Sequence, residues 1–220
     1  MTEFWQTFLP PGGEPPATWR ESYDAPMPDG SRLRLPLRDF GDFAVAGLIA
    51  NQASFAVVDA ISGWMAAAAR PFAPEVVVGL PTLGHVFGAG VARALGHANW
   101  VAPGTSRKLW YDDALSAPLV SITSPMAGRR MWLDPRLLPR LAGRRILLVD
   151  DVISTGSSSL AGLALLRSAG LRPVALCVAM VQGNRWQPGW PADVPVVGAF
   201  ATPLFARIAE GWDVRSAPNG

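Results

Sequence analysis

Apolar residues fall into two patterns along the chain, short unbroken runs and longer stretches with helical spacing. The unbroken runs predict strands that are buried on both faces, as in a parallel sheet. The predicted strands are Glu75–Leu80, Asn99–Ala102, Ser121–Ser124, Ile146–Val149, Pro173–Val181 and Val194–Phe200. The stretches with helical spacing predict helices at Asp42–Arg70, His85–Leu95, Ser159–Arg167 and, more briefly, Thr202–Arg207. This alternation indicates an α/β fold in which helices flank a central, mostly parallel twisted sheet and ligands bind at the carboxyl ends of its strands.

The N-terminal segment has a different composition. Residues 1–32 are rich in proline and glycine and carry several aromatic side chains. This composition predicts an irregular arm that packs against the body or a partner subunit, and it disfavours a helical DNA-binding module. Leu33–Leu37 is predicted to be a short edge strand, where Pro36 is tolerated.

Composition narrows the class of protein. The 220 residues are half hydrophobic, which is enough for one domain with a sizeable core. The sequence shows neither an apolar run of about 18 residues nor a signal peptide, so we expect a cytoplasmic protein that does not bind membranes. A net charge of +2 is too small to indicate a nucleic-acid partner. Cys177 is the one cysteine, which fits a reducing compartment and a core position.

The strongest candidate site follows the run Ile146–Val149. Asp150 and Asp151 come first, and a loop of small residues follows, comprising Ser154, Thr155, Gly156, Ser157 and Ser158. A hydroxyl-rich loop that leads into a helix is a suitable anion site, because free N–H groups and the helix dipole both favour negative charge. The two carboxylates would hold hydroxyl groups or a divalent cation. The alternative is an ordinary strand-to-helix turn, but such a turn needs only one capping residue.

This arrangement resembles the phosphoribosyl-pyrophosphate (PRPP) signature of the type I phosphoribosyltransferases. The resemblance implies that the 5′-phosphate binds at Ser154–Ser158, and that the ribose and Mg²⁺ bind at Asp150 and Asp151. It also implies that Mg²⁺ is the cofactor, that PRPP and a nucleobase are the substrates, and that the protein is a homodimer.

The same resemblance assigns roles outside the signature. Pyrophosphate would bind a loop with a cis peptide at Pro81–Thr82, formed by Pro81, Thr82, Leu83 and Gly84. Leu83 departs from the family, which often has a basic residue in this loop. Arg107 and Lys108 would stabilise the leaving pyrophosphate, or would be two solvated surface charges. The segment from Leu109 to about Pro125 would be a mobile lid.

Base recognition would depend on a small hood formed by the two ends of the chain. The expected domains are an N-terminal arm and hood at 1–40, a core at 41–182 and a C-terminal hood at 183–220. Ile153 and Trp186 are the predicted base contacts, and Trp190 is the other tryptophan that could stack on a base. The alternative for Trp186 is an aromatic patch that packs against the N-terminal tryptophans.

The resemblance implies transfer of 5-phosphoribosyl to a nucleobase through an oxocarbenium-like transition state. Ser154 stands where 6-oxopurine enzymes carry an aspartate, so adenine is the first candidate base. The segment from Val76 to Gln182 is also similar to bacterial proteins grouped with adenine phosphoribosyltransferases. The alternatives are an orotate-type enzyme and a PRPP-binding regulator without catalysis.

Several further residues stay open between a functional and a structural role. Arg129 and Arg130 would bind pyrophosphate or be surface charges, and His85 would contact a ligand or only begin a helix. Trp110 and Tyr111 would be lid anchors or subunit contacts. The polar residues within the first predicted helix would be solvated or intersubunit residues, or would contact a ligand; they are Asn51, Gln52 and Ser54.

Overall fold

The computed structural model describes residues 3–13, 16–119 and 129–214. The predicted strand at Ser121–Ser124 and the end of the predicted lid lie outside these ranges. The described strands are β1 (Phe8–Leu9), β2 (Ser22–Pro26), β3 (Arg32–Asp39), β4 (Phe43–Ala46), β5 (Val76–Gly79), β6 (Ser116–Pro118), β7 (Arg130–Trp132), β8 (Ile146–Ile153), β9 (Pro173–Gln182), β10 (Val196–Thr202), β11 (Leu204–Ile208) and β12 (Gly211–Val214). The described α-helices are α1 (Phe55–Ala69), α2 (Gly84–Ala94), α3 (Leu138–Leu141) and α4 (Ser157–Ser168).

A four-stranded parallel sheet forms the centre of the protein, with strand order β10-β9-β8-β5. The register pairs Val149 of β8 with Gly79 on one side and with Cys177 on the other. Beyond β5, the predicted strand at Asn99–Ala102 is reduced to a single parallel bridge between Val101 and Val78. The α/β class predicted from the sequence is confirmed.

Alternating residues of the central strands face two separate cores. Leu147 and Val149 of β8 belong to a core shared with α1 and α2. Ile146 and Leu148 belong to a second core that includes the apolar face of α4. Helices therefore cover both faces of the sheet, and this is why its strands have no polar alternation.

A second, antiparallel sheet joins the two ends of the chain. Its strand order is β1-β3-β4-β11-β12, and β2 pairs with the other edge of β3. The sheet packs on the α1 side of the molecule, where Leu33, Leu35, Phe205 and Trp212 enter the first core. These strands bring N- and C-terminal segments together, as expected for the hood. The domain boundaries near residues 40 and 183 stay predictions.

Four sequence predictions about this second sheet were wrong. The N-terminal segment is not irregular throughout, because Phe8–Leu9 (β1) and Ser22–Pro26 (β2) pair with β3. β3 is not an edge strand, because it also pairs with β4. Residues 43–46 and 204–208 are not helical. These two segments form β4 and β11, which pair with each other across the chain.

The first predicted helix begins later than expected. Ser54 caps the N-terminus of α1, and its hydroxyl accepts a hydrogen bond from the Val57 N–H. The backbone oxygen of Gln52 accepts one from Gln6 Nε2 at 2.8 Å. Ser54 thus has a structural role.

Among the described helices, none combines the length and apolar character needed to cross a membrane.

Candidate active site

The acidic pair lies within β8, because backbone pairing with β9 continues through Ile153. Asp150 is buried, with 3% of its surface exposed. Its Oδ2 accepts a hydrogen bond from Ser159 Oγ at 3.0 Å, and its Oδ1 accepts one from the Asp151 N–H at 3.0 Å. Asp151 is partly exposed and points into a cleft. The two carboxylates therefore have different access to a ligand.

Both carboxyl groups are harder to ionise than usual. Burial raises the pKa of Asp150 well above its ordinary value, and the charge of Asp151 raises it further. Burial also raises the pKa of Asp151. A nearby cation or several hydroxyl donors would favour the ionised form of the pair.

The hydroxyl-rich loop leads directly into α4. Gly156 has a positive φ of 82° and occupies the capping position of the helix. In the described structure no side chain caps this helix, and the first helical hydrogen bond runs from the Leu160 N–H to the Gly156 oxygen at 2.8 Å. The N–H groups of the first turn can therefore bind an anion. The hydroxyls of Thr155 and Ser157 lie 3.0 Å apart beside them.

The loop that follows β5 lies against the acidic pair. The Pro81–Thr82 peptide bond is cis, as the resemblance implied. The Leu80 N–H donates to the Val149 oxygen at 2.8 Å, which fixes the loop to β8. A Cβ built on Gly84 would lie 2.9 Å from Asp150 Oδ1, so only glycine fits at this contact. Leu83 packs on the first core.

His85 follows this loop in a half-buried position. Its Nε2 lies 2.9 Å from the Pro103 oxygen, and its ring packs edge-on against Trp100 at 5.5 Å. Burial lowers the pKa of His85. These contacts give His85 a packing role.

A cleft of about 420 Å³ opens beside Asp151, between the two sheets. One wall consists of Asp151, Val152 and the hydroxyl-rich loop up to Ser159. The other walls come from the β3–β4 region and from the end of β9. Their lining residues are Arg38, Phe40, Phe43, Val45, Ala46, Gly47, Leu48, Ile49, Met180, Gln182 and Arg185.

Sequence reasoning identified none of these eleven lining residues as site residues. Gln182 is buried, and its Nε2 donates to the Ala46 oxygen at 2.7 Å. Phe43 stacks against Phe40 with ring centroids 5.3 Å apart. Arg38 lies over the Cα of Gly47. The polar loop after β9 was a usable signal for Arg185, whereas Phe43 and Arg38 reach the cleft only through pairing of distant strands.

The structure does not bring every predicted site residue into the cleft. Arg107 is exposed, its Nε donates to Asp113 Oδ1 at 2.9 Å, and its guanidinium lies 5.6 Å from the Trp132 ring centroid. Lys108 is exposed on the same loop. Arg130 donates hydrogen bonds from two guanidinium nitrogens to the Ser116 hydroxyl oxygen, so it links β7 to β6.

The two predicted base contacts lie elsewhere. Ile153 is fully buried in the second core, and its neighbour Val152 lines the cleft instead. Neighbouring residues of a strand lie on opposite faces of the sheet, because successive side chains alternate in direction. Trp186 is half-buried against the second core and packs edge-on to Trp190 at 6.5 Å. It does not pack against the N-terminal tryptophans.

The donor set fits a magnesium ion. Mg²⁺ binds through one or two carboxylates, substrate phosphates and several waters. Asp150 and Asp151 supply two adjacent carboxylates next to the hydroxyl-rich loop and the uncapped first turn of α4. Within residues 3–13, 16–119 and 129–214, no group of three or more acidic, histidine or cysteine side chains could hold a metal. A magnesium ion held by these two carboxylates would take its other oxygen ligands from substrate phosphates and water.

Comparison with known proteins gives one consistent family. The model of the phosphoribosyl transferase domain matches residues 45–193, about two thirds of the chain. An adenine phosphoribosyltransferase of Frankia casuarinae is 30% identical over 162 residues, which covers 67% of this chain and 78% of that protein. One from Erythrobacter litoralis is 34% identical over 107 residues, which is 47% of this chain and 54% of the relative, so this match spans only about half of the relative's length.

A solved structure supports the fold. Adenine phosphoribosyltransferase of Saccharomyces cerevisiae, in complex with an imino-altritol bisphosphate and adenine, superposes with a TM-score of 0.55 at 17% identity. The superposition covers 82% of this chain and 94% of the yeast chain. On the family match and the Frankia relative together, this chain belongs to the phosphoribosyl transferase domain family, a family of glycosyltransferase enzymes.

Proposed function

We propose that the protein transfers the 5-phosphoribosyl group of PRPP to a purine, with adenine as the first candidate, and releases pyrophosphate. This reaction belongs to nucleotide salvage. One observation carries the proposal: Asp151 and the loop Ser154–Ser158 line the same cleft as an aromatic side chain, Phe43. A phosphate site, a ribose site and an apolar surface for a base are thereby adjacent.

The phosphorylated sugar would bind to the first wall of this cleft. The first-turn N–H groups of α4 and the hydroxyls of Thr155 and Ser157 would hold the 5′-phosphate. Asp151, with Asp150 behind it, would hold the ribose hydroxyls and Mg²⁺. Bound Mg²⁺ would supply charge stabilisation to the departing pyrophosphate.

Pyrophosphate would lie against Pro81–Gly84, the loop that contacts Asp150 through Gly84. Because Leu83 supplies no charge there, we propose that Arg107 and Lys108 add positive charge when the lid closes. Arg107 would first have to leave Asp113, an exposed ion pair whose loss costs about 1 kcal/mol or less. A closed lid would also exclude water from the activated sugar.

The base would lie between Phe43 and Val152. One N–H of the Gln182 amide donates to the Ala46 oxygen, and the side chain also carries a carbonyl oxygen that can act as an acceptor. The 6-amino group of adenine can donate to such an oxygen, whereas the 6-oxo group at the same position of hypoxanthine or guanine cannot. This supports adenine above hypoxanthine and guanine.

An orotate-type enzyme is the second candidate. Arg38 and Arg185 both line the cleft, and arginine pairs well with a carboxylate. A PRPP-binding regulator without catalysis is the third.

The experiment is an assay of pyrophosphate release from PRPP and Mg²⁺ with adenine, hypoxanthine, guanine and orotate. The proposal predicts turnover with adenine in preference to the other bases, and no turnover in Asp151→Asn. Turnover with orotate alone would select the second candidate. Tight PRPP binding without turnover of any base would select the regulator. We also propose a homodimer, which light scattering of the purified protein tests.

A further inference from the structure

Arg185 connects the hydroxyl-rich loop to the opposite wall of the cleft. Its Nη2 donates a hydrogen bond to Ser154 Oγ at 2.9 Å. Its guanidinium carbon lies 5.0 Å from the ring centroid of Phe43, a cation–π distance. These two contacts hold the guanidinium beside the first residue of the loop.

The backbone next to Arg185 is also fixed to the loop. A Cβ built on Gly156 would lie 3.4 Å from Trp186 Cβ and 3.9 Å from Trp186 Cα. Trp186 in turn packs on the second core. The contacts of Trp186 therefore fix the backbone that carries Arg185, even though the guanidinium itself is exposed.

The charge of Arg185 has no carboxylate partner among the described ion pairs, all of which involve other arginines. A guanidinium has five N–H donors in a rigid fork, and the bond to Ser154 uses one of them. The remaining donors match a phosphate, which accepts charge-assisted hydrogen bonds in this geometry.

We infer that Arg185 binds the 5′-phosphate of the phosphorylated sugar, in addition to the hydroxyls and N–H groups of the loop. This inference rests on the proposed function, because it takes the phosphate to lie at Ser154–Ser158. Arg185 therefore supplies a full positive charge to a phosphate site that otherwise consists of partial charges. Phe43 orients the guanidinium and so links the base wall to the phosphate wall.

The test compares wild type with Arg185→Gln and Arg185→Lys by calorimetry, with ribose 5-phosphate and with PRPP plus Mg²⁺, and by the KM for adenine. We expect Arg185→Gln to weaken the binding of both phosphorylated ligands by about 10–100-fold, while the KM for adenine changes by less than about 2-fold. Arg185→Lys should bind with intermediate affinity, since it keeps the charge and loses the fork. Arg172→Gln, an equal charge change at a side chain that is 82% exposed, should bind like wild type.

Three results would overturn the inference. If wild type binds both ligands and Arg185→Gln binds them equally well, Arg185 is not a phosphate ligand and the proposed function stands. If only the KM for adenine or orotate rises, Arg185 contacts the base. If wild type binds neither ribose 5-phosphate nor PRPP, the proposed function fails together with the inference.

Discussion

The Cα of Gly84 lies so close to Asp150 that a Cβ at position 84 would stand 2.9 Å from the carboxylate oxygen and 3.0 Å from the Asp150 Cα. Gly84 is the first residue of α2, and Asp150 lies near the carboxyl end of β8. This contact joins two strand–loop–helix units at one point of the sheet edge. It places the loop after β5 next to the acidic pair.

Gly84→Ala should therefore disturb the acidic pair. The added methyl group meets backbone as well as a side chain, so we expect a loss of about 1–3 kcal/mol in the free energy of unfolding, with weaker PRPP binding. Urea denaturation and calorimetry measure the two effects. The control is Gly63→Ala in α1, where nothing lies within 4 Å of the new Cβ and stability should rise slightly. Equal stability and PRPP affinity in both variants would show that the contact at Gly84 is unimportant.

Asp150→Asn should stabilise the free protein in a pH-dependent way. An acid whose pKa is higher in the folded state keeps its proton longer there, so the free energy of unfolding falls as pH rises from the unfolded to the folded pKa. Asp150→Asn has no carboxyl group to ionise at this position, so its stability does not fall with pH for this reason. Its advantage in Tm should thus be larger at pH 7.5 than at pH 4.5.

Scanning calorimetry at both pH values provides the measurement, with the surface substitution Asp59→Asn as control. The same Asp150→Asn variant should bind PRPP at least about 10-fold more weakly, because it loses a charged hydrogen-bond acceptor. A Tm advantage that is equal at both pH values would contradict the ionisation cost assigned to Asp150.

Substitutions at Val152 and Ile153 should have different effects, the first on base recognition and the second on stability. Ile153→Ala removes a fully buried side chain and should lower the free energy of unfolding by about 2–5 kcal/mol, with little change in the KM for the base. Val152→Ala changes a cleft surface and should raise that KM with a smaller effect on stability. Steady-state kinetics and urea denaturation of both variants provide the test. The opposite assignment of effects would restore Ile153 as the base contact.

Cys177 should be inert in the folded protein. Burial raises the pKa of the Cys177 thiol to about 12, and its Sγ lies 3.4 Å from the Met65 oxygen. At pH 8 a disulfide reagent should therefore label the native protein at least ~100-fold more slowly than the urea-unfolded chain. Following the absorbance of the released thiolate measures both rates. Rapid stoichiometric labelling of the native protein would show that the core around β9 opens readily.

Local patterns predicted the parts of the fold whose signals lie within a few residues. Ile146–Val149 is a run of four apolar residues followed by acids and a small-residue loop, and this order alone located β8 and α4. Phe43–Ala46 was misassigned to a helix, because a short apolar run cannot distinguish a buried strand from a helix. Its strand character comes from pairing with β11, far away in sequence.

The same reason explains which parts of the candidate site were found. The hydroxyl-rich loop and the acidic pair are contiguous in sequence, so their composition revealed them. Arg38, Phe43 and Arg185 meet in the cleft only after the two ends of the chain have paired. Ile153 was predicted as the base contact in place of Val152, because an unbroken apolar run does not show which residues of the strand face the cleft.

The most direct test of the central claim is a crystal structure of the protein soaked with PRPP and Mg²⁺. The account predicts the 5′-phosphate on the first turn of α4, within hydrogen-bond distance of the loop Ser154–Ser158, and the ribose beside Asp151. A cleft that stays empty at saturating ligand, or a phosphate that binds away from this loop, would contradict it.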